Sequence, residues 1–397
     1  AIHNYKRPCE TACKIKAISM GDEKQACIDN NKCISCGACV YQCPFGAIMD
    51  KSYILNVIDM LKKSNNNTTY KVFAVVAPSI SSQFTYAKLG QVITGLKKLG
   101  FYTVIEAALG ADMVAQKESV ELAEKGFLTS SCCPAFVSYI EKAFPNLKEY
   151  VSHNLSPMGT IAKYIKEHEG ACKVVFIGPC ISKKDEAETY MEDVDAVMTF
   201  DELEAWINEE GIVISKDFEA CEMSKTRLFP KTGGILKTMN KDHLDYVYLS
   251  VDGTDQCMAY LEDIRHGNIH HCFIEMSACK GSCIGGPLMI KRKEKILERN
   301  LQIERYAGEK DFAVAQPDEK VIHKDFENLE YSTFIPEEAE IRKVLLRMGK
   351  KKEEDELNCG ACGYDSCRAK AIAVYQGKAI SPGVAMGHIA VMRKRTL

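Results

Sequence analysis

KVFAVVA, residues 71–77, decides the class of fold. It is an apolar run of strand length with no polar alternation, the pattern of a strand buried on both faces and therefore of a parallel sheet. The runs YTVIEAA (102–108), KVVFIG (173–178), YVYLSV (246–251) and CFIEM (272–276) repeat it on either side. Between them lie helical stretches such as QVITGLKKLG (91–100) and DELEAWINEE (201–210). The alternation predicts an α/β domain with largely parallel, buried strands. Thr199 and Glu202 have the spacing of a capping box and predict the start of the helix that carries Leu203 and Trp206. Upstream, the helical pattern SYILNVIDMLKK (52–63) is followed by SNNNTTY (64–70), a polar stretch that reads as a linker closing a first domain of residues 1–68. Downstream, the charged run KKKEEDE (350–356) reads as a solvated boundary, dividing a central domain, 69–347, from a last segment, 348–397.

With 46% hydrophobic and 26% charged residues, the 397-residue chain is neither disordered nor collagenous and has enough apolar side chain for two or three domains. The 51 basic and 54 acidic residues leave a net charge of −3, so neither nucleic acid nor an anionic membrane is an expected partner. There is no run of 18 uncharged apolar residues, and the opening AIHNYKRPCE lacks the apolar centre of a signal peptide, so a cytoplasmic location is expected. Nineteen cysteines do not suit disulfides in such a compartment. Their clustering points to metal ligation instead, since seven fall between Cys9 and Cys43 and three between Cys359 and Cys367.

Cys33, Cys36, Cys39 and Cys43, followed by Pro44, form C-x2-C-x2-C-x3-C-P, the bacterial ferredoxin run in which the fourth thiolate ligates a neighbouring cluster. A structural zinc needs only four ligands and has no use for a partner segment. Here there is one: CETACKIKAI (9–18) mirrors CVYQCPFGAI (39–48). The crossed pattern puts Cys13 with Cys33, Cys36 and Cys39 on one 4Fe-4S cluster, and Cys9 with Cys43 on a second. For the two missing ligands of the second cluster, Cys27 is one candidate and His3 another, an exposed terminal imidazole being the plainer account of His3. A segment of about 70 residues has too small a core to stand alone, so cluster ligation must help hold it together.

Three segments carry the central chemistry: LTSSCCPAF (128–136), IGPCISKKDEA (177–187) and IEMSACKGSCIGGP (274–287). Four separated cysteines on loops after predicted strands suit a cubane, and a spare thiol beside it is available for other work. These segments, in this order, resemble the signature loops of the iron-only (FeFe) hydrogenases, and residues 71 to about 345 follow that catalytic domain. The resemblance implies an α/β catalytic domain of two lobes around an H-cluster, a 4Fe-4S cubane joined to a di-iron unit carrying carbon monoxide, cyanide and a dithiolate amine bridge. A small ferredoxin-like α+β domain would precede it and a small helical iron–sulfur domain follow it. By position, Cys133, Cys180, Cys279 and Cys283 hold the cubane, Cys283 bridges to the di-iron unit, and Cys132 is the free thiol that relays protons. Lys183, and Pro78 with Ser79, match the contacts to cyanide.

Glu118 and Glu121 in GADMVAQKESVELAEK (110–125) share one face of a helix with Lys125. They could simply form a salt-bridged solvent face, but the stretch resembles the family's proton-relay segment, and Ser152 matches the hydroxyl between the two glutamates. Lys125 stands where many relatives have arginine. Relatives with the fastest turnover usually have methionine at Gly178 and Ser277, tryptophan at Phe136, and glutamine at Met158 or Gly159. Some also carry a further cysteine at Ser131. Cys172, Cys221, Cys257 and Cys272 lack ligand spacing and read as structural.

NCGACGYDSCRAKAIAVYQGKA supplies Cys359, Cys362 and Cys367 and resembles a small 4Fe-4S domain whose fourth cysteine would fall near Val384–Met386. His388 or a non-protein ligand could complete a third accessory cluster; otherwise the site is incomplete. The expected function is hydrogenase, with protons and hydrogen as substrates, ferredoxin or a similar electron carrier as partner, and maturation proteins supplying the di-iron unit. The rivals are a hydrogen sensor of slow turnover, suggested by Gly178 and Ser277, and an iron–sulfur assembly or electron-transfer protein on the same scaffold.

Overall fold

The computed structural model describes residues 7–21, 25–214, 224–241, 245–267, 269–289, 296–312, 315–317, 322–326, 336–358 and 366–375. The chain divides into two compact units, one of residues 1–33, 38–51 and 329–397 and a larger one of residues 34–37 and 52–328.

In the smaller unit, strand β1 (Ile18–Met20) pairs antiparallel with β2 (Ala26–Ile28), setting Ser19 opposite Cys27. The cysteine repeat seen in the sequence is also a repeat in structure. The helices Pro8–Ala12 and Ala38–Gln42 pack together. After them, Cys13 Sγ accepts the Ala17 N–H at 3.1 Å and Cys43 Sγ accepts the Ala47 N–H at 3.2 Å. The helices Glu338–Arg347 and Cys367–Tyr375 pack through Ile341, Val344, Leu345 and Ala371, with an Arg368–Glu338 ion pair alongside. A boundary at 347/348 would separate these two packed helices, so this core redraws the division expected there.

The larger unit is α/β. Strands β3 (Lys71–Val76), β4 (Thr103–Glu106), β6 (Cys172–Gly178) and β7 (Ala196–Thr199) form a parallel sheet in the order β4-β3-β6-β7. Strands β5 (Phe127–Thr129), β8 (Val247–Asp252) and β9 (Cys272–Ser277) form a second parallel sheet in the order β5-β9-β8. From Val72 to Val76 no residue of β3 exceeds 2% exposure, as its unbroken apolar run requires. The capping box is present, Glu202 Oε2 accepting the Thr199 N–H at 2.7 Å, and the helix Phe200–Glu209 buries Leu203 and Trp206.

The polar stretch 64–70 is a fixed turn of the larger unit and not a free linker. Asn65, Asn66 and Asn67 take φ of 49°, 54° and 62°, a left-handed run that asparagine tolerates better than most residues. Asn67 is tied at both ends of its side chain, donating to Gly100 O at 3.0 Å and accepting from Val72 N at 2.9 Å. The first domain boundary therefore falls before the helix Ile54–Lys63 rather than at residue 68.

One crossing sets the place of the long helix Ala107–Lys125. It packs on the helix Pro157–Glu169, and a Cβ built at Gly110 would fall inside van der Waals contact of the Pro157 carbonyl oxygen. Backbone cannot yield as a side-chain tip can. Gly110→Ala is expected to lower stability by about 1–3 kcal/mol, the usual result of overpacking, read as a lower midpoint in thermal or urea unfolding.

Candidate metal centre

The site forms where the strands end. Pro78 and Ser79 follow β3, Cys132 and Cys133 follow β5, Cys180 and Lys183 follow β6, and Cys279 and Cys283 follow β9. Ligands of parallel α/β sheets gather at these carboxyl ends. All of these residues line one cavity of about 930 Å³ empty volume. Among the described residues no three His, Cys, Asp or Glu groups converge on a single-ion site. The thiols line a volume instead.

Burial works against thiolates here. It pushes Cys180 up to about 12, with the Cys133 and Cys283 sulfurs adding to the effect, and Cys283 up to about 11. Cys279 is driven well above the ordinary range by burial and then by Cys180, Cys133 and Cys283. Cys132 is likewise raised, by burial and by Glu118. Four thiols lining one cavity, whose thiolate forms are opposed by desolvation and by one another and only partly offset by Lys183, fit a cationic iron–sulfur group that deprotonates them on binding. Ser79 strengthens the fit: its buried hydroxyl has no hydrogen-bond partner among the described residues.

Lys183 extends from the helix Ser182–Tyr190 into this cavity. Its Nζ donates to Ser156 Oγ at 2.8 Å and to the Cys132 carbonyl at 3.3 Å, and it pairs with Glu186 at 2.6 Å. Burial opposes its charge, but Glu186 overrides that and holds the ammonium above its ordinary range. Glu275, within β9, lines the same cavity and accepts the Gly233, Ile235 and Leu236 N–H groups at 2.8, 3.0 and 3.2 Å. At Gly178 a built Cβ would stand 2.7 Å from the Phe176 ring, which occupies the space that a larger residue there would need.

Glu118, Ser152 and Glu121 are brought together. Glu118 is fully buried, and burial, reinforced by Glu121, pushes it up to about 8. Ser131 N–H donates to its Oε1 at 3.4 Å, while Oε2 has no partner among the described residues. Glu121 is held below the ordinary carboxylate range because hydrogen bonds from His153 and Lys125 outweigh its burial. Between Ser152 and Glu121 lies the Asn154 amide, its Nδ2 donating to Ser152 Oγ at 3.0 Å and to Glu121 Oε2 at 2.9 Å. Asn154, His153, Glu186 and Glu275 escape a sequence reading, because a polar neighbour of a motif residue reveals nothing of its direction.

The ferredoxin run is split between the units. Ile34–Gly37 belongs to the larger one, where Ser182 Oγ donates to the Ile34 and Ser35 carbonyls at 3.1 and 2.9 Å. Gly37 packs so closely that a built Cβ would stand 2.6 Å from Ile181 Cδ1 and 2.8 Å from Pro287 Cγ. This brings Cys36 within electrostatic reach of Cys279. In the smaller unit Cys9 and Cys43 interact with each other, and backbone N–H groups from Phe45 to Ile48 outweigh burial to hold the Cys43 thiol below its ordinary range. Cys27 sits in β2 with its sulfur against Gly21. Cys33 and Cys39 also lie in the smaller unit. His3, Cys221, Cys359, Cys362 and His388 lie outside the described residues; Cys367 opens the helix Cys367–Tyr375.

Two parallel sheets whose carboxyl-end loops bring four cysteine thiols to one cavity define an α/β protein with the means to hold an iron–sulfur group. The model "Iron only hydrogenase large subunit, C-terminal domain" matches residues 70–287, more than half of the sequence, and the chain belongs to that family. A 4Fe-4S binding domain model matches residues 26–49, and an Fe-S cluster model matches residues 355–381. The NADP-reducing hydrogenase subunit HndD of Solidesulfovibrio fructosivorans is 26% identical over 64% of this chain and 55% of its own length. Iron hydrogenase 1 of Clostridium pasteurianum is 27% identical over 67% of this chain and 58% of its own. The chain thus spans little more than half the length of these two relatives. The cytosolic Fe-S cluster assembly factor NAR1 of Eremothecium gossypii is 27% identical over 49% of this chain and 47% of its own. A solved structure of the FeFe-hydrogenase HydA1 of Chlamydomonas reinhardtii shares the fold, with TM-score 0.53 and 19% identity over 66% of this chain and 91% of the other. Among the described residues no helix is long and apolar enough to cross a membrane.

A carboxyl raised from 4.5 to about 8 favours folding while it is protonated, so its contribution is complete below about pH 4.5 and is lost as the pH rises through about 8. Glu118→Gln removes that loss. Wild-type stability should therefore fall more steeply than that of the variant between pH 5 and about 9, as measured by urea unfolding across that range.

Proposed function

We infer that this chain is a hydrogenase, interconverting two protons and two electrons with molecular hydrogen at an H-cluster. Cys133, Cys180, Cys279 and Cys283 would hold the cubane, with Cys283 the link to the di-iron unit, and all four line the cavity. When bound, this group supplies redox-active iron beside a basic amine. Lys183 and Ser79 would position its anionic ligands by donating hydrogen bonds, since both face the cavity and Ser79 has no partner there among the described residues. Cys132 would carry the proton across the gap to Glu118. Glu118, protonated around neutral pH and carrying an unpartnered oxygen, would pass it through Ser152 toward Glu121.

The observation that carries this reading is Glu118. A fully buried carboxyl at the foot of a polar chain from the thiol cavity serves proton transfer, whereas an electron carrier or assembly factor has no use for it. Electrons would enter through the accessory 4Fe-4S clusters from ferredoxin or a similar carrier, and Cys36 beside Cys279 is the natural point of entry. Maturation proteins would deliver the di-iron unit in the cytoplasm. The similarity to NAR1 favours a second reading, an iron–sulfur assembly relative without hydrogen turnover. The small residues Gly178 and Ser277 favour a third, a slow hydrogen sensor.

Cys132→Ala decides among them. With the di-iron unit loaded to the wild-type level, hydrogen evolution is expected to fall at least about a hundredfold, as for a lost general acid, while iron content and the infrared bands of carbon monoxide and cyanide persist. Cys132→Asp should recover part of the rate. A Cys132→Ala rate within twofold of wild type would remove the thiol from the mechanism, and wild-type protein that carries the bands without turnover would favour the sensor.

A further inference from the structure

The outer end of the polar chain is built differently from its interior. Glu121 Oε1 takes Lys125 Nζ at 2.8 Å and the His153 backbone N–H at 3.1 Å; Oε2 takes that N–H at 3.2 Å and Asn154 Nδ2 at 2.9 Å. An ammonium, a backbone N–H and an amide NH2 can only donate. The remaining contact, His153 Nδ1 at 3.3 Å from Oε1, is the one among these partners whose lone pair can take a proton from Glu121.

The same nitrogen stands 2.9 Å from Lys125 Nζ. It cannot serve both neighbours at once. Bare, Nδ1 accepts from Lys125; protonated, it donates to Glu121. Lys125 is not stranded by the exchange, because it keeps Glu121 and the Glu149 carbonyl at 2.9 Å. On its outer side the His153 ring stacks on His323, with centroids 5.8 Å apart and planes 9° apart, and meets the edge of Phe326 at 5.0 Å. Beyond lies a second cavity, about 750 Å³ of empty volume open to solvent, lined also by Lys117 and Glu124. His323 is 53% exposed there and its Nε2 is 3.2 Å from Asp325.

We propose that His153 is the terminal proton-relay residue of this chain. The Glu121 O–H bond breaks as the Nδ1–H bond forms, and the Nε2–H proton is released to water of the second cavity. Exchange of the remaining ring proton through cavity water restores the starting tautomer. No electron moves. The step runs in reverse for hydrogen evolution, and the assignment rests on reading Glu118, Ser152 and Glu121 as the inner relay.

Two measurements on the full chain test it. In protein loaded to equal di-iron content, His153→Ala should lower hydrogen evolution by roughly a hundredfold, and added imidazole should restore much of the rate in that variant while leaving wild type unchanged. A rate within twofold of wild type, or no response to imidazole, overturns the proposal. Glu118→Gln in parallel separates the two claims: if it loses turnover while His153→Ala does not, the exit alone is wrong, and if neither loses turnover, the inner relay is wrong as well. The second measurement needs no iron. Nitrogen NMR of 15N-histidine protein should show His153 with its ring proton on Nε2 in wild type and on Nδ1 in Lys125→Met, where the competing donor is gone. The same tautomer in both would contradict the competition on which the relay depends.

Discussion

Four thiols lining one cavity are the constraint from which the rest of the larger unit follows. A thiolate in that setting is opposed by loss of hydration and by its neighbours, and Cys180, Cys279 and Cys283 are accordingly pushed toward their neutral forms. Iron would reverse the balance by adding positive charge beyond that of Lys183, so cluster binding and proton release would be one event. Lys183, which lines the cavity, is paired with Glu186 and offsets the charge of Cys180 and Cys283 only in part.

Two parallel sheets deliver these thiols because the loops that leave the carboxyl ends of β3, β5, β6 and β9 line the same cavity. Close approach of backbone then fixes the loops. A Cβ at Gly285 would collide with the Lys280 carbonyl oxygen, which tightens the turn holding Cys283. Gly37 allows a loop from the ferredoxin run to lie against Ile181 and Pro287, the second of which also lines the thiol cavity. In the proposed relay the proton passes Glu118, which stands on the helix seated by Gly110.

What could be read from sequence was local. The unbroken apolar run 71–77 shows as β3 at the centre of its sheet, the capping box starts its helix, and the mirrored cysteine segments fold as mirrored helix-and-thiol units. The three cysteine loops sit where their spacing after strands implies. What escaped was tertiary. Three consecutive asparagines read as a linker form a left-handed turn fastened to Gly100, because a polar run has the same composition whether solvated or hydrogen-bonded. The charged run 350–356 suggested a boundary, yet the apolar contacts of Val344 and Leu345 join the helices on either side of it. Asn154 and His153 are anonymous beside Ser152 until the long helix brings Glu121 to them.

The central claim is that the thiol cavity holds a cubane joined to a di-iron unit and not a cubane alone. Infrared spectroscopy of the full chain, after anaerobic reconstitution with iron and sulfide and exposure to the di-iron unit, tests it most directly. Bands of iron-bound carbon monoxide and cyanide are expected in wild type and absent from Cys283→Ala. A wild-type protein that carries its cubane, by iron content and electron paramagnetic resonance, but shows none of these bands would contradict the account and leave an iron–sulfur assembly protein in its place.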